Sequence, residues 1–362
     1  MADKDQRAFR PAVGVIKGRG ATTSPDARYT AWQREGFDDG WTPEEAPAPL
    51  TTTLSVDTSR TVISYNQSPD VPFDRSINPY RGCEHGCVYC FARPTHAYLD
   101  LSPGLDFETK LFYKPNAVEL LRRELAAKSY RCAPIAVGIN TDAYQPVERQ
   151  LKLTRAILEV LVAQRHPFTI VTKSALIERD MDLLVLAAQQ NLVSVAVSLT
   201  TLQRDVARRM EPRAAAPQRR LATIKALAAA GVPVLVLVAP VIPVLTEHEL
   251  ENLLAAARDA GAHDAGYALL RLPHENKVLF EEWLQTHAPL QASHVLSRVQ
   301  QMRDGKLYDA EFGTRMRGTG VFAELLAKRF DLAYQRLGFA SMPKLDCSQF
   351  LPPSLGGQLS LF

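Results

Sequence analysis

Cys83, Cys87 and Cys90 lie in the run Arg81-Gly82-Cys83-Glu84-His85-Gly86-Cys87-Val88-Tyr89-Cys90-Phe91, three cysteines spaced CxxxCxxC. Thiolates are soft ligands for iron and for iron-sulfur clusters. A tetranuclear cluster has four irons, so three cysteines leave one iron open to another ligand and to chemistry. A ferredoxin-type site would close that corner with a fourth cysteine, but the next ones, Cys132 and Cys347, are far along the chain and in no matching motif. The competing reading is zinc, with His85 or His96 as the fourth ligand. Structural zinc is more often built from paired Cys-x-x-Cys or Cys/His knuckles that close all four positions locally.

Such a loop needs a rigid support. From about Asn78 onward, short β-branched runs alternate with longer helical stretches, the pattern of βα units on a parallel sheet. The expected strands are Ile135 to Ile139, Phe168 to Thr172, Ser194 to Ser198, Val234 to Val238 and Gly266 to Leu270, with a first strand just before the cysteine loop. Expected helices fall at about 116 to 128, 147 to 165, 178 to 190, 215 to 230 and 247 to 260; Thr246 and Glu249 suggest a capping box for the last. Six strands with right-handed crossovers predict an α/β fold, a partial (β/α)6 TIM-like barrel whose chemistry gathers at the strands' C-terminal ends. A doubly wound open sheet is the alternative. Residues 1–60 read as an extended, loosely ordered arm in which Lys17-Gly18-Arg19-Gly20 is a solvated surface segment. The barrel follows over 61–285, then a helical C-terminal extension over 286–355 that includes Arg315-Met316-Arg317-Gly318, and a flexible tail over 356–362.

The cysteine spacing, with the aromatic Tyr89 directly before the last cysteine, resembles the signature of the radical S-adenosylmethionine (radical SAM) enzymes. Ile77-Asn78-Pro79-Tyr80-Arg81-Gly82-Cys83 and Thr141-Asp142-Ala143-Tyr144-Gln145-Pro146 are similar to the DNA photoproduct-lyase-like branch of that superfamily. The resemblance implies a [4Fe-4S] cluster held by Cys83, Cys87 and Cys90, with S-adenosyl-L-methionine chelating the open iron. One electron, from a flavodoxin- or ferredoxin-like donor, would cleave the sulfonium and yield a 5'-deoxyadenosyl radical. It also implies the six-unit partial barrel.

The same resemblance points to cofactor contacts at the strand ends. Tyr89 would stack on or hydrogen-bond the adenine, or else pack the cluster loop. The Gly-Gly-Glu element that many radical enzymes use for the methionine amino group is absent. Thr141 and Asp142 stand there, either as acceptors for that ammonium or as a helix cap before Pro146. Lys173 would meet the methionine carboxylate or a ribose oxygen, or else be a surface lysine; Ser198 would bond the sugar, or else be a buried serine bonded to backbone; and Ile242 would lie against the adenine. Glu211 and Arg213 are either further site groups or a solvated turn, and Arg271 would face an anionic substrate or else balance an acidic neighbour. Photoproduct lyases carry an extra cysteine just past the second strand; Gly138 to Asp142 has none. Cys132 precedes that strand, and five or six extended residues, roughly 17 to 20 Å, put it near the opposite end of the barrel. Tyr144 is the substitute hydrogen donor. The expectation is therefore a radical reaction of unassigned substrate, nucleic acid included, ahead of thymine-dimer repair.

Composition sets wider bounds. At 362 residues and 46% hydrophobic content the chain can bury a large core, and its net charge of +3 permits a nucleic-acid or phosphate partner without demanding one. The charged N-terminus lacks a secretory core, and the longest apolar run, Val232 to Leu245, is interrupted by Pro233, Pro240 and Pro243. A cytoplasmic protein with no membrane partner is expected. Gln358-Leu359-Ser360-Leu361-Phe362 resembles the peptide by which bacterial repair and replication proteins dock on the DNA sliding clamp, with Gln358 on the rim and Leu359, Leu361 and Phe362 in apolar pockets. The alternative from another class is a non-catalytic DNA-associated factor with a structural cluster or zinc, recruited to that clamp.

Overall fold

In a computed structural model of the chain, residues 15–30 and 50–354 are described. Among the described residues ten strands occur: β1 (Thr53–Val56), β2 (Ile63–Tyr65), β3 (Arg75–Ile77), β4 (Tyr80–Arg81), β5 (Lys110–Tyr113), β6 (Ile135–Val137), β7 (Phe168–Thr172), β8 (Val193–Ser198), β9 (Val234–Val241) and β10 (Asp264–Leu269). The larger sheet runs β2-β3-β6-β7-β8-β9-β10. From β3 to β10 every pairing is parallel, and β2 adds to β3 antiparallel. The parallel strands stand side by side in chain order with no reversal. A doubly wound sheet reverses its order at a switch point, so that alternative is set aside.

The strands are buried because helices cover them. Ile135, Ile170, Val195 and Val236 share one apolar core with Leu121, Ile157, Leu184, Ile224 and Leu253, one side chain from each of five covering helices. β6 ends two residues earlier than periodicity suggests. Gly138 turns the chain at φ 78°, where a Cβ would stand 2.9 Å from Ala143 N and Cβ. The helix expected over 147–165 is broken at Lys152, φ 52°. The buried Glu148 carboxylate accepts from Thr154 N at 3.0 Å and starts the second piece, Leu153–Ala163. The proposed capping box does not form. Thr246 Oγ1 instead accepts from Ile242 N at 2.9 Å, and Glu249 accepts from Leu202 N at 2.9 Å, tertiary partners outbidding a local one.

Three further helices, Asn276–His287, Pro289–Gln301 and Gly320–Arg336, follow the sheet. Arg315-Met316-Arg317-Gly318, expected among helices, instead forms a loop. Leu269 N donates to Met316 O at 2.9 Å, so this loop covers the open edge of β10. A small sheet of β1, β5 and β4 supports the cysteine loop, which leaves directly from β4. The arm is also part of that support. Gly20 and Ala21 donate backbone N–H groups to Glu108 at 3.0 and 2.8 Å and are buried, so the end of this stretch is anchored in the protein while Lys17 stays exposed. The charge pattern of Lys17 to Gly20 gave no hint that a buried carboxylate waited for it. The tail over 356–362, with Gln358, Leu359, Leu361 and Phe362, lies outside the described residues. No helix among the described residues is long and apolar enough to cross a membrane.

At Gly20 a Cβ would stand 1.8 Å from Gly86 O, a backbone atom of the cysteine loop. Gly20→Ala is expected to destabilise the protein by about 1–3 kcal/mol through overpacking, read as a lowered melting temperature. An unchanged melting curve would mean the arm does not pack there.

Candidate cluster and cofactor site

The cysteine loop is held from every side. Cys83 N donates to Phe107 O at 2.9 Å, Val88 N to Met210 O at 3.0 Å, and Asn276 Nδ2 to Cys90 O at 2.7 Å. Gln145 spans the loop, accepting from Glu84 N at 2.9 Å and donating to Gly82 O at 3.1 Å. Arg93, fully buried, donates to Cys87 O at 2.8 Å and to Gly86 O at 3.1 Å while pairing with Glu108. The loop's backbone groups are thus bound by the protein, leaving its thiols for another purpose.

All three thiols line one cavity at the C-terminal ends of the parallel strands. Its wall also contains Gly138 to Asp142 after β6, Val171 to Lys173 at the end of β7, Ser198 of β8, Leu237 and Ala239 of β9, and Ala268 of β10. Burial raises the pKa of Cys83 well above the ordinary thiol value, with Asp142 and the neighbouring thiols adding to it, and burial likewise raises Cys87. At Cys87 the Lys173 ammonium opposes this without outweighing burial; iron ions at the loop would supply further positive charge and favour the thiolates. Among the described residues no three His, Cys, Asp or Glu side chains converge as ligands of a single ion. A four-iron cube takes its cysteines at separate corners, so its ligands need not converge on one ion. His96 is turned away, its Nε2 at 2.9 Å from Lys110 O and its ring packed on Phe107, and burial lowers its pKa to about 4.

Of the other residues singled out from the sequence, some reach the cavity wall and others do not. Tyr89, Thr141, Asp142, Lys173, Ser198 and Arg271 are on the cavity wall. Ile242 is not; it is fully buried in the apolar cluster behind Cys87 and Tyr89, and Ala239 and Pro240 take the wall instead. Tyr144 is not there either. It is fully buried, donates its hydroxyl to Asp180 Oδ2 at 3.1 Å and borders a second cavity, so it does not face the cysteines. Cys132 and Cys347 are also absent from the wall, and the Cys132 thiol is pushed up to about 12 by burial first and then by Cys347.

The wall groups are strongly ordered. Asp142 Oδ1 accepts from Tyr144 N at 2.9 Å and Thr172 Oγ1 at 2.8 Å, and Oδ2 from Lys173 N at 2.7 Å. His85 Nδ1 stands 3.2 Å from Oδ2 without hydrogen-bond alignment. Burial opposes the charge on Asp142, but His85 and these donors outweigh it and hold the carboxyl at about 2. Thr141 donates to Tyr80 O at 2.9 Å and Ser198 to Ala239 O at 3.1 Å. The Tyr89 hydroxyl donates to Glu211, and Lys173 Nζ lies 5.8 Å from the centroid of the Tyr89 ring. Glu211 is no solvated turn residue: it pairs with the buried Arg220 and accepts from Thr200 Oγ1 at 2.9 Å. Arg220 comes from the helix Pro217–Ala229 and had no sequence signal beyond its charge. Asn140, missed beside Thr141, and Met316, missed in its loop, also line the wall. Arg271 Cζ sits 4.9 Å over the exposed ring of Phe91.

Comparison with known proteins follows the same outline. The profile of the radical SAM superfamily matches residues 77–257. Uncharacterized proteins of Mycobacterium tuberculosis and Mycobacterium bovis are 43% identical over 221 residues, 60% of this chain and 65% of each relative. An uncharacterized protein of Methanocaldococcus jannaschii is 28% identical over 174 residues, 48% of this chain and 62% of its own length. The chain therefore spans less than two thirds of these relatives. Among solved structures, a mutant of spore photoproduct lyase superposes with a TM-score of 0.54 at 16% identity, covering 78% of this chain and 79% of that one. Another mutant of that enzyme, with bound AdoMet and dinucleoside spore photoproduct, gives 0.56 at 15% identity, covering 78% of each chain. At such identities the likeness is one of fold.

The buried Arg220–Glu211 pair orders Tyr89, and removing one partner leaves a charge without compensation. Arg220→Met is expected to lose about 3–5 kcal/mol, whereas Arg220→Met with Glu211→Leu should recover most of it. Urea unfolding midpoints of the two variants decide this.

Proposed function

Because the chain belongs to the radical SAM superfamily, whose members use a [4Fe-4S] cluster and S-adenosylmethionine, we propose that Cys83, Cys87 and Cys90 would hold such a cluster at the cavity they line. Bound together, these cofactors supply one-electron cleavage of the sulfonium and a carbon radical that abstracts hydrogen from a substrate. The observation that carries the reading is the meeting of three thiols, and no fourth cysteine, on a cavity at the ends of parallel strands. The sheet is read as the partial (β/α)6 barrel, over residues 61–285.

The chain's own residues bind and orient. Lys173 places an ammonium on the wall for a carboxylate or ribose oxygen, and Ser198, held by Ala239 O, presents its remaining acceptor capacity to the sugar. Tyr89 offers its ring for stacking, since its hydroxyl is engaged by Glu211. Thr141 keeps a lone pair for the methionine ammonium after donating to Tyr80 O. Asp142 is engaged by backbone and hydroxyl donors, so it orders Lys173 and His85. Asn140, on the wall and with no side-chain hydrogen bond among the described residues, is the better direct acceptor. Arg271, stacked on Phe91, suits an anionic substrate with a planar face, nucleic acid included. Spore photoproduct lyase, a neighbour by fold, was solved with a dinucleoside photoproduct, which supports that class. An external electron donor completes the scheme. The zinc or purely structural alternative gains no support from His96, whose ring nitrogen faces a backbone carbonyl. Clamp docking by Gln358, Leu359, Leu361 and Phe362 remains part of the proposal, supported by their sequence; deleting residues 358–362 should abolish retention on immobilised clamp.

Anaerobic reconstitution tests the central claim. Wild type is expected to take up about four irons and four sulfides per chain, to change its electron-spin spectrum on addition of S-adenosylmethionine, and to release 5'-deoxyadenosine on reduction. Cys83→Ala should lose all three responses. A wild-type spectrum indifferent to S-adenosylmethionine would refute the reading.

A further inference from the structure

A second cavity, ≈ 480 Å³, lies beside the first and shares His85 with it. Its lining contains four arginines, Arg149, Arg179, Arg213 and Arg219, and no carboxylate. We propose that it is a binding site for a phosphate group, gripped by guanidinium groups of that lining. Nothing in the radical chemistry requires such a site, and the inference stands apart from that proposal.

The arrangement of charge carries the inference. Each paired arginine has its carboxylate outside the cavity lining. Arg179 is held by the fully buried Glu148 and Asp180, at 2.7 and 2.8 Å. Arg213 pairs with the buried Glu84 at 2.9 Å, and Arg219 grips Glu178 through both terminal nitrogens, at 2.7 and 2.6 Å. Arg149 is exposed, and its side chain makes no hydrogen bond or ion pair among the described residues. If these pairs served stability alone, acids and bases would both be expected on the wall. Instead the acids stand behind the wall, where they offset the charge of Arg179, Arg213 and Arg219 and hold those side chains in place so that a ligand need not order them, while Arg149 keeps an uncompensated charge.

Guanidinium groups match the oxygens of a phosphate with paired N–H donors. Arg179 gives four of its five N–H donors to Glu148 and Asp180, so Arg149, Arg213 and Arg219 are the groups that would grip the ligand. Arg213 and Arg219 retain N–H donors beyond those given to their carboxylates, and Arg149 retains all of its own. Two sources offer this chemistry, a free phosphorylated compound and the backbone of a nucleic acid.

The test is calorimetric titration of full-length, cluster-loaded protein with pyrophosphate and, separately, with a short abasic deoxyribose-phosphate oligomer. Pyrophosphate is expected to bind once per chain. Arg149→Gln and Arg219→Gln, neither of which strips a fully buried carboxylate, should each weaken it at least tenfold with unchanged melting temperature and iron content. Displacement of pyrophosphate by the oligomer assigns the site to a nucleic-acid backbone, and failure to compete assigns it to a free phosphate compound; both sustain the proposal. Absence of binding by either probe overturns it, as does equal affinity in the variants. It is likewise overturned if the variants lose only their reduction by an acidic redox protein, which would make the arginines a protein-docking face.

Discussion

The structure depends on one buried ion pair, Arg93 with Glu108. Both side chains are fully buried, where an incompletely paired charge is severely penalised. Arg93 meets that demand by using its whole donor set: Nε to Cys87 O, Nη1 to Pro103 O and Gly104 O, Nη2 to Gly86 O and to Glu108. Glu108 in turn accepts from Gly20 N and Ala21 N. One pair thereby ties the N-terminal arm, the helix after the cysteines and the cysteine loop into a single unit. Its yield is geometric definition more than net stability. The thiols are presented by a backbone that has few conformations left to choose from.

The same principle recurs around the cavity. Glu211 joins Tyr89, Thr200 and Arg220, and Asp142 joins Tyr144, Thr172, Lys173 and the neighbourhood of His85. In a medium of low polarisability such networks are stiff when every member is satisfied. They place the wall of the cavity, and they do so from strand ends, where β6, β7 and β8 deliver their first loop residues side by side. His85 stands between this wall and the arginine-lined cavity, so the two sites are separated by one side chain.

Much of this was legible along the chain. β7 was foreseen at the bounds it has, and β8, β9 and β10 within a few residues, because apolar and β-branched side chains recur at their alternate, buried positions. Misses came where a partner distant in sequence overrode a local preference. Lys152 breaks a helix that periodicity alone would continue, and Thr246 and Glu249 left a plausible cap for bonds to Ile242, Thr201 and Leu202. Arg315 to Gly318 became a loop because the open edge of β10 takes the carbonyl of Met316.

By itself the sequence determined the thiol set, the alternation of strand and helix and the polar residues that follow each strand, since spacing and periodicity are local properties. Which of those residues face the cavity was decided only by tertiary structure. Ile242 directly follows β9, nearer its strand end than Asn140 is to that of β6, and Tyr144 lies on the same loop as Asn140, yet Tyr144 turns to Asp180 and Ile242 into the apolar cluster, while Asn140 stays on the wall. A side chain's direction after a strand depends on turns such as that at Gly138 and on buried partners contributed from far away, and neither is encoded in the residue's own neighbourhood.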